Sequence, residues 1–137
     1  METPIDLTDL ELKTQFENCT LSPALFNHEA HVRLAWIHIQ QYGTDQAIKN
    51  ICNQLTAFTS HVGAADKYHV TLTVAAIKAV AHFMKKADGD NFNDFIHQFP
   101  RLKYNFKELM ACHYQQDIFS ADKARKEFVE PDLLPFE

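Results

Sequence analysis

Residues Lys67 to Ala87 read KYHVTLTVAAIKAVAHFMKKA, and this stretch decides the fold that the sequence predicts. Its apolar positions are Val70, Leu72, Val74, Ala75, Ala76, Ile77, Ala79, Val80, Ala81, Phe83 and Met84. They surround the helix axis instead of forming one stripe, and a helix without a polar face is a buried one. Asp66 precedes the stretch as an N-cap, and Gly89 follows it as a C-terminal stop. The sequence therefore predicts a central buried helix over about residues 67–87.

Helical periodicity runs through nearly the whole chain, and no stretch alternates with the period of two that is typical of a strand. The predicted N-caps are Thr8, Asn27 and Ser120, and the predicted helix ends lie at Gly43 and Pro100. Besides the central helix, the predicted helices cover about residues 7–19, 28–42, 44–61, 91–98, 102–114 and 120–129. We therefore expect one all-α domain over residues 1–137, a helical bundle of six to seven helices with an extended C-terminal tail.

Composition and charge exclude several classes of partner. The 137 residues carry 13 Lys plus Arg against 18 Asp plus Glu, a formal net charge of −5, and so lack the basic surface that binds nucleic acid or anionic membrane. No apolar run approaches the roughly 18 residues of a membrane span. The acidic N-terminus, METPIDLTDLELKTQF, lacks the pattern of a secretory signal. Because Cys19, Cys52 and Cys112 follow no disulfide or zinc-finger spacing, we expect a soluble, cytoplasmic protein.

Eight histidines are many for a chain of this length, and the predicted topology brings four of them together. Short loops make consecutive helices antiparallel neighbours. The start of the second helix, the end of the third and the start of the fourth then share one end of the bundle. We expect a histidine cluster at that end, formed by His28, His31, His61 and His69.

Three of these histidines have the chemistry of a mononuclear metal site. His28 and His31 are three residues apart, so their imidazoles stand on one helical face and could bind a single ion. His69 and His28 lie in first helical turns, where the positive end of the helix dipole disfavours imidazolium and keeps the rings neutral. Glu29 and Asp66 could accept hydrogen bonds from ligating imidazoles. The prediction is a copper, iron or zinc ion held by His28, His31 and His69, with an open fourth position.

Each histidine also has an interpretation that needs no ligand. HxxH on a helix is a weak pattern, and either His28 or His31 could simply be solvated near a helix start. His61, at a helix C-terminus, is explained by the attraction between its cation and the helix dipole. Whether His61 or His113 joins the cluster stays open. The histidines expected at surface or half-buried positions are His38, His82 and His97.

Three sequence blocks occur together in this chain. They read FxHxxHxxxxW from Phe26, KYHxTxT from Lys67 and SxxxARxxFVEPDL from Ser120. Together they resemble a family of small bacterial proteins of similar length, a domain of unknown function. The resemblance covers most of the chain from Phe26 onward. It implies that the histidine-bearing blocks belong together and implies no reaction, so function must be argued from the site.

These observations support an enzyme as the first functional hypothesis. It would be a small metal-dependent enzyme whose ion activates water or dioxygen, or polarises a carbonyl of a small-molecule substrate. An all-histidine ligand set suits copper and iron and thus favours an oxidoreductase. The catalytic residues would be His31, His69 and Tyr68, with Tyr68 lining the pocket. Without a metal, His31 or His69 would act as a general acid or base.

The second hypothesis belongs to a different class of protein. It is a non-enzymatic binding or sensor protein, or a protein-interaction module, whose histidine cluster is structural or acid/base only. The proline-flanked tail over residues 128–136 would then be the interaction element, for example across a homodimer.

Overall fold

The computed structural model describes residues 7–87 and 91–136. Within these residues the chain forms eight α-helices and two short 3-10 helices, and it forms no β-strand. The prediction of an all-α protein is therefore confirmed. No helix in this part of the chain combines the length and apolarity needed to cross a membrane. The cytoplasmic location stays a prediction.

The chain divides into two compact units, residues 1–68 and residues 69–137. The first unit contains three α-helices, α1 (Asp9–Glu17), α2 (His28–Tyr42) and α3 (Thr44–His61), with 3-10 helices at Pro23–Leu25 and Ala65–Lys67. The second unit contains the remaining α-helices, which are α4 (Val70–Met84), α5 (Phe92–Gln98), α6 (Arg101–Tyr104), α7 (Phe106–Ala111) and α8 (Asp122–Lys126). A single domain over residues 1–137 stays a prediction.

The helix starts of the first unit follow their capping residues, as predicted. The Thr8 hydroxyl accepts a hydrogen bond from the N–H of Glu11, whose carboxylate accepts one from the N–H of Thr8, which is a complete capping box. The Asn27 side chain accepts the N–H of Ala30 at the start of α2. Gly43, at φ +84°, ends α2 and directly precedes α3, in a conformation that favours glycine.

Helices α2 and α3 form an antiparallel hairpin around Gly43. His38 and Asn50, on either side of this residue, are hydrogen bonded. Near the other end of the hairpin, Phe26 packs against Phe58 with ring centroids 5.0 Å apart. The start of α2 and the end of α3 therefore lie at one end of this unit, as the topology argument predicts.

Helix α1 is attached to this hairpin by polar contacts and by the core. The Arg33 guanidinium on α2 forms an ion pair of 2.8 Å with Asp9 and donates to the carbonyl of Leu7. Leu12 and Phe16 of α1 are fully buried. Three amphipathic helices thus share one apolar core, and their remaining faces are free to carry polar groups.

Helix α4 is the apolar helix that the sequence predicts, but its start differs from the prediction. It begins at Val70 instead of Lys67, because Ala65–Lys67 form a 3-10 helix and His69 is the N-cap residue. Asp66 is therefore not the cap. The predicted stop at Gly89 lies outside the described residues. The buried residues of α4 are Thr71, Thr73, Val74, Ala75, Ile77, Ala79 and Val80.

The C-terminal helices are shorter than predicted. The helix expected over residues 102–114 is two helices, since the chain breaks at Asn105, and this split accounts for the eighth helix. Ser120 hydrogen bonds to Asp117 instead of capping α8. Helix α8 ends at Lys126 because the chain then becomes extended, where the Thr71 hydroxyl donates to the carbonyl of Glu127.

The C-terminal tail docks through only part of its apolar sequence. Phe136 is buried and stacks on His113, with ring centroids 4.1 Å apart. The His113 ring nitrogen Nδ1 is also hydrogen bonded to the carbonyl of Leu134, at 2.8 Å. In the same tail, Leu133 is 49% exposed and Leu134 is 58% exposed. A homodimer through this tail stays a prediction.

Candidate functional site

His28 and His31 stand on the first turns of α2, three residues apart on one face. The His31 ring stacks on Phe26, with centroids 4.0 Å apart and planes 26° from parallel. Burial, assisted by the nearby His28, lowers the pKa of His31 to about 4. His31 is therefore a neutral imidazole at neutral pH, which is the state that both metal binding and general-base chemistry need.

Tyr68 contacts α3 through hydrogen bonds with Cys52 and Thr56. Burial and the neighbouring Cys52 raise the pKa of Tyr68 to about 12, and burial also raises the pKa of the Cys52 thiol. Both groups therefore stay protonated at neutral pH. In this state Tyr68 could donate a proton or a hydrogen bond but could not act as a base.

His69, the first residue of the second unit, has both ring nitrogens in hydrogen bonds. Nδ1 accepts from the N–H of Leu72 at 3.1 Å, so the ring proton lies on Nε2, which donates to the carbonyl of Ile118 at 2.8 Å. The ring thereby caps α4 and links its start to the segment before α8. A metal ion at His69 would have to displace one of these two bonds.

The predicted metal ligands do not form a recognisable metal site within the described residues. In that part of the chain, no three His, Cys, Asp or Glu side chains form a group that could hold a metal ion. His61 is exposed at the last residue of α3, and His113 is engaged with the tail. A metal held by His28, His31 and His69 stays a prediction.

A polar pocket of about 350 Å³ lies in the first unit. Each of its three helices contributes side chains spaced four residues apart, so each presents one polar face. Its lining consists of Lys13 and Glu17 from α1, His38 and Tyr42 from α2, and Gln46, Asn50 and Gln54 from α3. Of these, His38 is fully buried, while Glu17, Tyr42 and Gln46 are exposed at the mouth.

A chain of hydrogen bonds orients the imidazole of His38. The Gln46 amide donates to the Asn50 carbonyl oxygen at 2.8 Å, which turns the Asn50 NH₂ group toward His38. That group donates to Nδ1 of His38 at 3.4 Å. Because Nδ1 accepts this bond, the proton of the neutral ring lies on Nε2.

Two polar atoms in the walls of this pocket lack partners. Among the described residues, the buried side-chain nitrogen and oxygen atoms without a hydrogen-bond partner are Nε2 of His38 and Oε1 of Gln54. Leaving such an atom unpaired costs about 1–3 kcal/mol, so native proteins do so rarely and usually for a reason. Both side chains line the same pocket, and one unpartnered atom is a donor and the other an acceptor.

The charge of Lys13 completes the pocket. Its ammonium group donates to Oε1 of Gln41 at 2.8 Å and to the hydroxyl of Tyr42 at 2.6 Å. Burial, together with this positive charge, lowers the pKa of His38 to about 4. The pocket therefore presents a neutral N–H donor and a cation at neutral pH.

The expectation that His38 is a surface or half-buried residue is wrong. Its ring is 0% exposed, because α2 packs against both α1 and α3 and its polar side is covered as well. The signal in the sequence was the spacing of four between polar residues on three consecutive helices. This spacing indicates a shared site only when the polar faces of α1, α2 and α3 are known to pack against one another.

Comparisons with known proteins assign no family to this chain. No protein-family model matches the sequence, and neither the curated proteins nor the solved structures contain a match. The resemblance of the three sequence blocks to a bacterial family therefore stays a prediction, and the function must be argued from the site itself.

Proposed function

We propose that this protein binds a small polar molecule in the pocket between α1, α2 and α3, as a binding or sensor protein. The observation that carries the proposal is the pair of unpartnered buried atoms, Nε2 of His38 and Oε1 of Gln54, in the walls of one pocket. A ligand that offers an acceptor to the first and a donor to the second would recover the cost of leaving both unpaired.

The size and the lining of the pocket support this proposal. Ligand sites are concave, with a few polar groups that fix orientation, and range from about 300 to 1,000 Å³. This pocket, of about 350 Å³, is at the small end. Its ligand is therefore smaller than a nucleotide or a peptide.

A screen of small polar compounds by ligand-observed NMR tests the proposal. We expect binding to the wild-type chain and a loss of at least about tenfold in affinity in Gln54→Met, which removes the acceptor while keeping the side-chain length. The matched control is Gln40→Met, at an exposed position of α2 outside the pocket. Absence of any compound that binds wild type more tightly than Gln54→Met would refute the proposal.

The metal-dependent enzyme is a second candidate function, which we propose on a separate observation. His31 is held neutral beside His28 on one helical face, and imidazole ligands suit copper, iron or zinc. Such an enzyme would act on a small molecule, and we favour an oxidoreductase.

Elemental analysis of untagged protein purified without chelators tests this second function. We expect about one metal ion per chain in the wild-type protein and none in His31→Ala. Equal metal content in the two proteins would contradict this assignment.

A further inference from the structure

We infer that the ligand of the pocket is a small organic acid that also carries a hydroxyl or amino group. Its carboxylate would accept hydrogen bonds from His38 and Lys13, and its hydroxyl or amino group would donate to Gln54. This inference rests on the proposed function and names the class of molecule that the pocket selects.

The ring N–H donor of His38 requires an acceptor in the ligand. The hydrogen bonds from Gln46 through Asn50 leave the ring proton of His38 on Nε2, where no described residue accepts it. This proton can only be satisfied by an acceptor atom.

Lys13 makes a negatively charged acceptor preferable to a neutral one. An ammonium group has three donors, and within the described residues Lys13 uses two of them, in hydrogen bonds to Gln41 and Tyr42. Its nitrogen also lies 4.8 Å from the centroid of the Tyr42 ring. The third donor and the positive charge are available to a ligand anion. A carboxylate has two oxygens and can accept from both His38 and Lys13, through charge-assisted bonds that are stronger than neutral ones.

Gln54 adds a requirement that a simple carboxylate does not meet. Its unpartnered Oε1 is an acceptor, so the ligand must also offer an O–H or N–H group. The carboxylate of Glu17, one turn beyond Lys13 at the mouth, adds a negative charge that favours an amino group. A molecule with an acidic group and a donor a short distance apart satisfies both sides.

Binding requires a small movement of the pocket wall. Nε2 of His38 and Oε1 of Gln54 are both shielded from solvent in the free protein. The Gln54 side chain is half-buried and long, so rotation about its side-chain bonds can turn its amide toward a ligand. The His38 ring is hydrogen bonded to Asn50, so we expect this ring to keep its position while Gln54 moves.

A set of three-carbon probes tests the inference by chemical-shift titration at pH 7. L-lactate and L-alanine carry both groups, propionate lacks the donor, and L-lactamide and isopropylamine lack the carboxylate. We expect lactate or alanine to bind about tenfold more tightly than the other three. Propionate and isopropylamine each leave one buried atom unpaired, and lactamide offers only an uncharged acceptor to Lys13. Equal affinity across the set would overturn the inference.

Two variants connect these preferences to named side chains. Gln54→Met should remove the advantage of lactate or alanine over propionate. Lys13→Met should weaken the binding of the carboxylates about tenfold and leave the affinity for lactamide unchanged. Lys49→Met, at an exposed position of α3, should change neither affinity. Loss of lactamide binding together with the acids would show a damaged pocket and contradict the assigned role of Lys13.

The outcomes separate this inference from the proposed function. If the compound screen finds ligands that depend on Gln54 but contain no carboxylate, the pocket is a binding site and the organic-acid assignment is wrong. If no probe and no screened compound distinguishes wild type from Gln54→Met, both fail, and the two unpartnered atoms are satisfied by water only.

Discussion

The imidazole of His38 is fully buried, although its sequence context is that of an ordinary helical residue. Its neutral state follows from two physical causes, the loss of hydration and the nearby charge of Lys13. Its orientation follows from a third, the amide groups of Gln46 and Asn50. The buried polar groups of the pocket are thus held in fixed orientations, and holding them lowers the stability of the fold.

That cost predicts the effect of Gln54→Met on folding. The substitution removes a buried acceptor without a partner, and Gln and Met have similar helix propensities, so the free energy of unfolding should rise by about 1 kcal/mol. Urea denaturation measures it, with Gln40→Met as the reference for surface effects. A variant that is more stable but no longer binds ligand is expected of a functional position. A loss of stability would show that Oε1 of Gln54 has a partner in solution.

At the scale of the secondary-structure element, the residue that caps α4 determines where this helix begins. A helix needs acceptors for its first N–H groups, and the sequence predicts Asp66 as the residue that supplies one. The chain uses His69, whose ring accepts from Leu72 and also donates to Ile118. The second bond joins distant parts of the second unit, which Asp66 could not do from within a 3-10 helix.

This role of His69 predicts an order of stability among variants. His69→Ala removes the cap and the bond to Ile118, and should lower the free energy of unfolding by about 2 kcal/mol. His69→Asn restores the cap and loses only the bond to Ile118, so it should lower the free energy by about half as much. Denaturation and amide exchange at the first turn of α4 measure the difference. Equal losses in the two variants would show that the cap contributes nothing.

Net charge and titration act at the scale of the whole molecule. The chain carries a net charge of −5, and the two histidines whose pKa values are lowered furthest lie in the first unit. His31 and His38, both in that unit, have pKa values lowered from 6.5 to about 4. In the unfolded chain each binds a proton near pH 6.5, whereas in the folded chain it remains neutral until about pH 4.

The first unit should therefore lose stability as the pH falls from 6.5 to 4 and regain it above this range. Each histidine contributes at most about 1.4 kcal/mol per pH unit, and the share of His31 is smaller because it is partly exposed. Amide exchange of α2 and α3 at several pH values measures the effect. His38→Gln should flatten the dependence, and His97→Gln, at an exposed position, should not. A flat profile in wild type would contradict the lowered pKa values of both rings.

Local signals in the sequence determined most of the helices. The Thr8 and Glu11 capping box, the Asn27 cap and the helix end at Gly43 are each completed within a few residues, so they can be read from the chain alone. The same holds for the apolar character of α4. The short α8 was missed because contacts with distant residues, such as the bond from Thr71 to Glu127, compete there with local helix propensity. The break at Asn105 was also missed.

The tertiary structure alone decided where the histidines act. The roles of His38 and His69 come from Asn50 and Ile118, which lie 12 and 49 residues away along the chain. The pocket exists because polar faces of three helices meet, and a sequence specifies each face but not which faces meet. The polar side chains become buried only when these faces pack together. The free-energy cost of an unpaired donor or acceptor therefore depends on the tertiary structure.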